Sequence, residues 1–221
     1  MAIALLPLIA ILLGLGIWQV ERRSWKLALI DRVEQGLAKA PAPAPGPTEW
    51  AAIDANAAYR KLRVTGRYIP CRTKLAQAVT DLGAGKWVMT PLLSDRGFTV
   101  FINRGFLPDG QTLPPCKTVA NRTVVVTGLL RLSEPKGGFL RANDPAADRW
   151  YARDVQAMGQ GLTRLAPYFI DADRSGDGWP RGGMTVLRFS NSHLVYALTW
   201  FGLAVLTAWF AWRAWHGRDT A

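Results

Sequence analysis

The chain has 221 residues, 49% of them hydrophobic, and carries 27 Lys and Arg against 16 Asp and Glu, a net charge of +11. That length leaves room for one ordinary domain and two membrane helices. The basic residues (Arg60, Arg67, Arg72, Lys86 and Arg96 among them) are scattered singly and not clustered with stacking aromatics, so the charge argues against nucleic acid and for a domain beside anionic lipid headgroups.

Residues 1–20 carry no charged side chain. A signal peptide would open on basic residues and end in a small-residue cleavage site just behind its apolar core. The nearest such pattern, Ala38-Lys39-Ala40, lies far downstream and runs into Pro41, so residues 1–20 are expected to persist as transmembrane helix 1. Trp18 and Gln19 mark its end. Leu27, Ile30, Val33 and Leu37 then recur at helical spacing, which extends the helix as a stalk. The alternating Ala/Pro run up to Pro47 reads as an extended spacer, giving a stalk and linker over residues 21–47.

A short helix is expected at Thr48-Glu49-Trp50, capped by Thr48 or Pro47. Strand patterns follow at Tyr59–Tyr68, Lys74–Val79, Lys86–Leu93, Phe98–Phe106, Thr123–Arg131 and Tyr168–Ala172, with a turn at Asp95-Arg96-Gly97. Around Trp150–Met158 a strand end should pass into a short helix capped by Asp154. Thr185–Phe189 leads into the second apolar run. Short strands separated by Gly/Pro turns predict a barrel- or sandwich-like β-rich domain with short helices over residues 48–190. Cys71 and Cys116 belong to no CxxC pair; they either bridge in an oxidising compartment or stay separate thiols.

From Leu194 to Trp212 no residue is charged, and Arg213 ends the run, close to the roughly 20 residues that cross a bilayer core. Residues 191–213 are therefore predicted as transmembrane helix 2 and residues 214–221 as a cytoplasmic tail. His193 stands at its mouth, with Tyr196, Ala197 and Trp200 on the same helical face. An imidazole beside one small residue and two aromatics suits a flat, metal-centred ring. It also suits an interfacial histidine in the aromatic belt. If the two helices pair antiparallel, Gln19 comes level with His193 and can hydrogen-bond it, while Gly14, Gly16, Ala197, Gly202 and Ala204 allow close backbone approach. Arg213 and Arg218 put the tails in the cytoplasm and the central domain outside.

No GxSxG, HExxH or P-loop is present, and no histidine precedes His193, so hydrolytic triads are excluded from the central domain. Asp171, Asp173 and Asp177 miss calcium-loop spacing. Asn103-Arg104-Gly105 with Arg131 reads either as a carboxylate clamp or, preferred, as a turn arginine on backbone carbonyls beside a glycine fixed by its φ. Asn143-Asp144-Pro145 reads as an Asx turn, and Trp150-Tyr151 as core.

Four blocks in order resemble the surfeit-locus-one (Surf/Shy) family of cytochrome c oxidase assembly factors: Leu15-Gly16-Ile17-Trp18-Gln19 with Arg22 and Trp25-Lys26; Thr90-Pro91-Leu92 with Asn103-Arg104-Gly105-Phe106-Leu107-Pro108; Gly128–Arg131 with Glu134, Asn143-Asp144-Pro145, Trp150-Tyr151 and Arg153-Asp154; and Trp179-Pro180, Gly183 and Asn191 to Trp200. Phe106 stands where the family usually has tryptophan. The resemblance implies a non-enzymatic, multi-pass protein of the cell inner membrane, with both termini cytoplasmic and the β-rich domain periplasmic between two antiparallel transmembrane helices, a membrane α+β class. It implies a heme a-binding chaperone that helps place the cofactor in oxidase subunit I, with subunit I and heme a synthase as partners and no nucleic acid. His193 is the expected iron ligand, with Tyr196, Trp200 and Gln19 around it. The alternative is a membrane scaffold that stabilises an oxidase intermediate without heme; a sensor is disfavoured by the short segment after Arg213.

Overall fold

The computed structural model describes residues 5–118, 122–136, 141–174, 176–185 and 191–216. In chain order, helix α1 (Leu6–Ala38) precedes β1 (Ala42–Pro43), β2 (Lys61–Tyr68), β3 (Lys74–Thr80), β4 (Gly83–Ser94), β5 (Thr99–Pro108) and β6 (Thr123–Leu132). Helix α2 (Val155–Met158), β7 (Leu165–Ala172) and helix α3 (His193–His216) follow. The chain divides into two units near Glu34 and Val186: one holds most of α1 with α3, the other holds the strands.

In the helical unit, α1 runs without a break for 33 residues. It stops at Ala38, just ahead of the Ala/Pro run, where the residue before each proline is driven out of the helical region. Helix α3, 24 residues, is long and apolar enough to cross a membrane, and few of its residues are buried. Leu12, Gly16, Gln19 and Val33 are the buried residues of α1 among the described residues; Ala197 and Ala204 are those of α3.

The second unit is a barrel-like β domain. Strand β2 pairs with β6, β6 with β7, β7 with β5 and β5 with β4. Strand β4 then returns to β2, with Leu92–Ser94 opposite Gly66–Tyr68, and closes the ring. Gly66 makes that seam possible: a Cβ there would lie 2.2 Å from the Leu93 carbonyl oxygen. Within the ring only β5 and β7 run parallel; β3 flanks β4. Leu62, Val64, Leu92, Val100, Ile102, Val126, Leu130, Tyr168 and Ile170 form one cluster, because alternate residues of all five ring strands meet only inside. Phe101 and Phe169, of opposite parity, join Met89, Trp150, Val155 and Met158 in a second cluster outside the ring, beneath α2. Strand β5 is thus covered on both faces, which explains its nearly unbroken burial.

The strands lie close to where their patterns put them, and Asp154 caps α2 through Gln156 N and Ala157 N at 3.1 and 3.2 Å. Gly97 turns the chain at a φ of +74°. The short helix near Thr48 is a 3-10 turn over Pro47–Ala52, started at Gly46, whose N–H donates to Glu49 Oε2 at 2.8 Å. The Ala/Pro run is not a free spacer. Ala42 and Pro43 pair as a parallel strand with β2, the Ala44 N–H donates to the Arg63 carbonyl, and the Pro45 carbonyl accepts from Trp50 Nε1 and the Tyr168 hydroxyl. The geometry that makes alternating proline extended is close to an edge strand, where missing donors are tolerated. The β domain therefore begins before residue 48. Cys71 and Cys116 form a disulfide. By loop-closure entropy a 45-residue separation contributes about 4 kcal/mol. Beyond Thr185, the segment leading to the second apolar run lies outside the described residues.

Candidate functional site

Helices α1 and α3 pair antiparallel: Gly16 lies against the Phe201 ring, and three residues on in α1, Gln19 meets His193, eight residues back in α3. A Cβ on Gly16 would come within 2.4 Å of that ring, so the absent side chain sets how closely the helices approach. His193 Nδ1 and Gln19 Oε1 are 2.7 Å apart. An amide oxygen only accepts, so Nδ1 carries a proton in this contact, and the tautomer that matches it has its lone pair on Nε2. No partner engages Nε2 among the described residues. Gln19 is 9% exposed, and buried polar groups are rare unless satisfied. Two residues before His193, Asn191 Oδ1 is buried without a hydrogen-bond partner among the described residues.

The other members of the expected set are spread around the helix. Ala197 is buried, Trp200 is half-buried, and Tyr196 is 54% exposed. One ring nitrogen fixed by an amide and the other left open is the donor arrangement an axial iron ligand requires. His193 and Gln19 fit a heme in that respect, while Trp200 is half-buried and Tyr196 exposed on the same helix.

The β domain holds a second polar assembly. Asp171, 5% exposed, accepts from Asn103 Nδ2 (2.8 Å), Thr185 Oγ1 (2.9 Å), Arg131 Nη1 (3.2 Å) and Arg153 Nη1 (3.4 Å). Glu134 accepts from Arg131 Nη2 at 2.7 Å and from Arg153 Nε at 2.9 Å. Two guanidiniums face two carboxylates, so the charges cancel. The Arg153 guanidinium also stacks over Trp87 and Phe169. Trp87, Asn103, Arg131, Arg153, Asp171 and Thr185 line a cavity of about 210 Å³. Asn103 Oδ1 accepts from the Gly105 N–H, and Gly105 sits at a φ of +123°, its missing Cβ 2.0 Å from the Arg181 carbonyl oxygen. A glycine is required there, within a strand rather than a turn.

Arg104 and Arg131 do not share a site. Arg131 is held by Asp171 and Glu134, whereas Arg104 lies over the Tyr68 ring, 5.3 Å from its centroid, and binds no carbonyl among the described residues. The sequence pattern missed the part played by Asp171. Its apparent grouping with Asp173 and Asp177 conceals three separate roles, since Asp173 faces Lys61 and Asp177 faces Arg174. Asn143 Oδ1 accepts from the Tyr151 and Ala152 N–H groups, bracing the turn before Pro145. Trp150 is 2% exposed, in the core. Phe106 is fully buried between Trp87 and Trp179, so a phenyl ring fills the place where an indole is usual.

A profile described as the SURF1 family matches residues 6–205. Surfeit locus protein 1 of Mus musculus is 36% identical over 220 residues, covering 89% of this chain and 70% of the relative. Surfeit locus protein 1 of Takifugu rubripes is 34% identical over 222 residues, 90% of each chain. A SURF1-like protein of Monosiga brevicollis is 34% identical over 223 residues, 92% of this chain and 83% of the relative. The match runs from the start of α1 through the β domain that carries the arginine–carboxylate network and into α3, and on that ground the chain belongs to the SURF1 family.

Proposed function

We propose that this chain is a membrane-anchored, non-enzymatic assembly factor for cytochrome c oxidase that holds heme a through His193 while the cofactor is delivered to oxidase subunit I. The observation that carries the reading is the 2.7 Å contact between His193 Nδ1 and Gln19 Oε1, which leaves Nε2 as the open donor. In this reading α1 and α3 both cross the bilayer, and the seam of Leu12, Gly16, Ala197 and Ala204 holds the ligand pair at the outer interface. Gln19 is a positioning residue: it fixes the tautomer and the plane of the imidazole. Trp200 and Tyr196 supply aromatic surface beside it. Nε2 would donate its lone pair to the heme iron, which would act as the Lewis acid, and nothing in the role requires turnover. The β domain is periplasmic and guides the partner, subunit I or the heme a synthase that hands over the cofactor. The family resemblance supports the oxidase assignment.

The test is the Soret absorption of the protein purified from cells that make heme a. Wild type should retain the band, His193→Ala should lose it, and Gln19→Ala should shift it and lower occupancy several-fold, with membrane insertion unchanged. If His193→Ala kept full heme and full oxidase assembly, the scaffold reading without heme would replace this one.

A further inference from the structure

Beyond the end of β7 the barrel wall has an opening. Strand β7 meets β6 only from Gly128 onward, and the last contact there is the Asp173 N–H on the Thr127 carbonyl. The chain past Asp173 rejoins β5 where Arg181 pairs with Phe106. The opening is a cavity of about 510 Å³. Its floor is made of inward-facing residues at one end of the ring: Tyr68, Val124, Val126 and Ala172 all pack on the inner core. Arg104 has the same parity as Val100 and Ile102, and Arg122 the same parity as Val124 and Val126, so both arginines sit at this mouth. Trp179 forms a wall, braced by the Phe106 ring and by the Arg181 guanidinium.

The charges here are not balanced as they are around Asp171. Among the described residues neither Arg104 nor Arg122 has a carboxylate within ion-pair distance. Asp173, which also lines the mouth, faces Lys61 at 3.9 Å, and Arg174 is taken by Asp177 at 2.6 Å. Burial holds the Tyr68 phenol above its ordinary pKa, with Arg104 pulling the other way, so its O–H remains a donor at neutral pH. An apolar floor, an indole wall and two guanidiniums that face no carboxylate among the described residues suit a molecule with an apolar body and an anionic head.

We infer that this barrel mouth, lined by Arg104, Arg122, Tyr68 and Trp179, is a second binding site, for an apolar small molecule bearing a carboxylate or phosphate. The apolar body lies on Tyr68, Val124 and Val126, and the guanidinium forks take the head group. The site shares no residue with the His193–Gln19 pair and stands whether or not that histidine binds iron.

The full chain in phosphatidylcholine nanodiscs would be titrated calorimetrically with three probes: 1-naphthylacetate, 1-naphthyl phosphate and the neutral 1-naphthylacetamide. At least one anionic probe should bind about tenfold or more tighter than the amide, a difference of about 1.4 kcal/mol. Which of the two anions binds tighter tells a carboxylate ligand from a phosphate one. Arg104→Gln with Arg122→Gln should abolish the preference for the anion, while Arg63→Gln on the outer face of β2 should leave it intact. Should the double variant melt early, Arg122→Gln alone, at an exposed position, is expected to weaken the anionic probe several-fold with an unchanged melting temperature. Equal binding of amide and anions, no binding of either anion at millimolar concentration, or an unchanged preference in a folded Arg122→Gln protein would each overturn the inference.

Discussion

Asp171 shows how much one buried side chain can organise. Four donors converge on its carboxylate, two of them charged, and the cluster tolerates burial only while the charges balance. Asp171→Ala is expected to cost about 3–5 kcal/mol in urea unfolding, and Asp171→Asn less, because the amide oxygen still accepts from Thr185. Equal losses would show that packing, not charge, holds the cluster. Tyr168 gives a pH signature. It is fully buried, its hydroxyl donates to the Pro45 carbonyl at 2.8 Å, and burial raises its pKa well above the ordinary tyrosine range. The unfolded phenol ionises near pH 10 while the folded one keeps its proton, so this contribution is complete below about pH 10 and is lost as pH rises further. Tyr68, also raised by burial, acts in the same direction. Tyr168→Phe should cost about 1–2 kcal/mol at pH 7 and make stability fall less steeply between roughly pH 10 and 12, as read by denaturant midpoints across that range. An unchanged alkaline slope would rule the group out.

At the level of elements, the contact of α1 with α3 rests on what is missing at Gly16. Without a side chain there, the Phe201 ring can lie on the backbone of α1, which keeps Gln19 in reach of His193. Gly16→Leu should push the helices apart. A cysteine pair made at Gln19 and His193 should cross-link readily in membranes and poorly when Gly16→Leu is added. Efficient cross-linking in the presence of the leucine would show that the seam does not set the spacing. The seam itself was legible in the sequence, because small residues at helical spacing on two apolar runs suggest close packing. Which aromatic filled it was not. Phe201 and the exposed Tyr196 depend on how the two helices are rotated, and periodicity alone leaves that open. Strand β1 was hidden for a different reason. Alternating proline encodes extension but not partnership, and only the open edge of β2 gives Ala42 and Pro43 something to pair with.

For the whole molecule, the proposed arrangement has a checkable consequence. If the β domain lies outside the membrane and both tails inside, Cys71 and Cys116 are reached from the outer face once their disulfide is reduced. A membrane-impermeant maleimide applied to reduced, intact spheroplasts should label both. Labelling only after lysis would place the domain inside and remove the proposed topology. The wide spread of basic residues also makes more sense in three dimensions. Arg131 and Arg153 are consumed by internal carboxylates, while Arg104 and Arg122, at the barrel mouth, face no carboxylate among the described residues.

By itself the sequence determined the parts with local causes: the strands and their turns, the cap at Asp154, two long apolar runs, and a histidine level with a glutamine if those runs pair. These follow from periodicity and turn chemistry, which act over a few residues. Only the tertiary structure decided which strands close the ring, that Asp171 belongs with Arg131 and Arg153 and not with Asp173, that Cys71 meets Cys116, and that Arg104 faces a different cavity from Arg131. Each of those joins residues far apart in the chain, and their energies depend on burial and on the sum of neighbouring charges, quantities that exist only once the ring has closed.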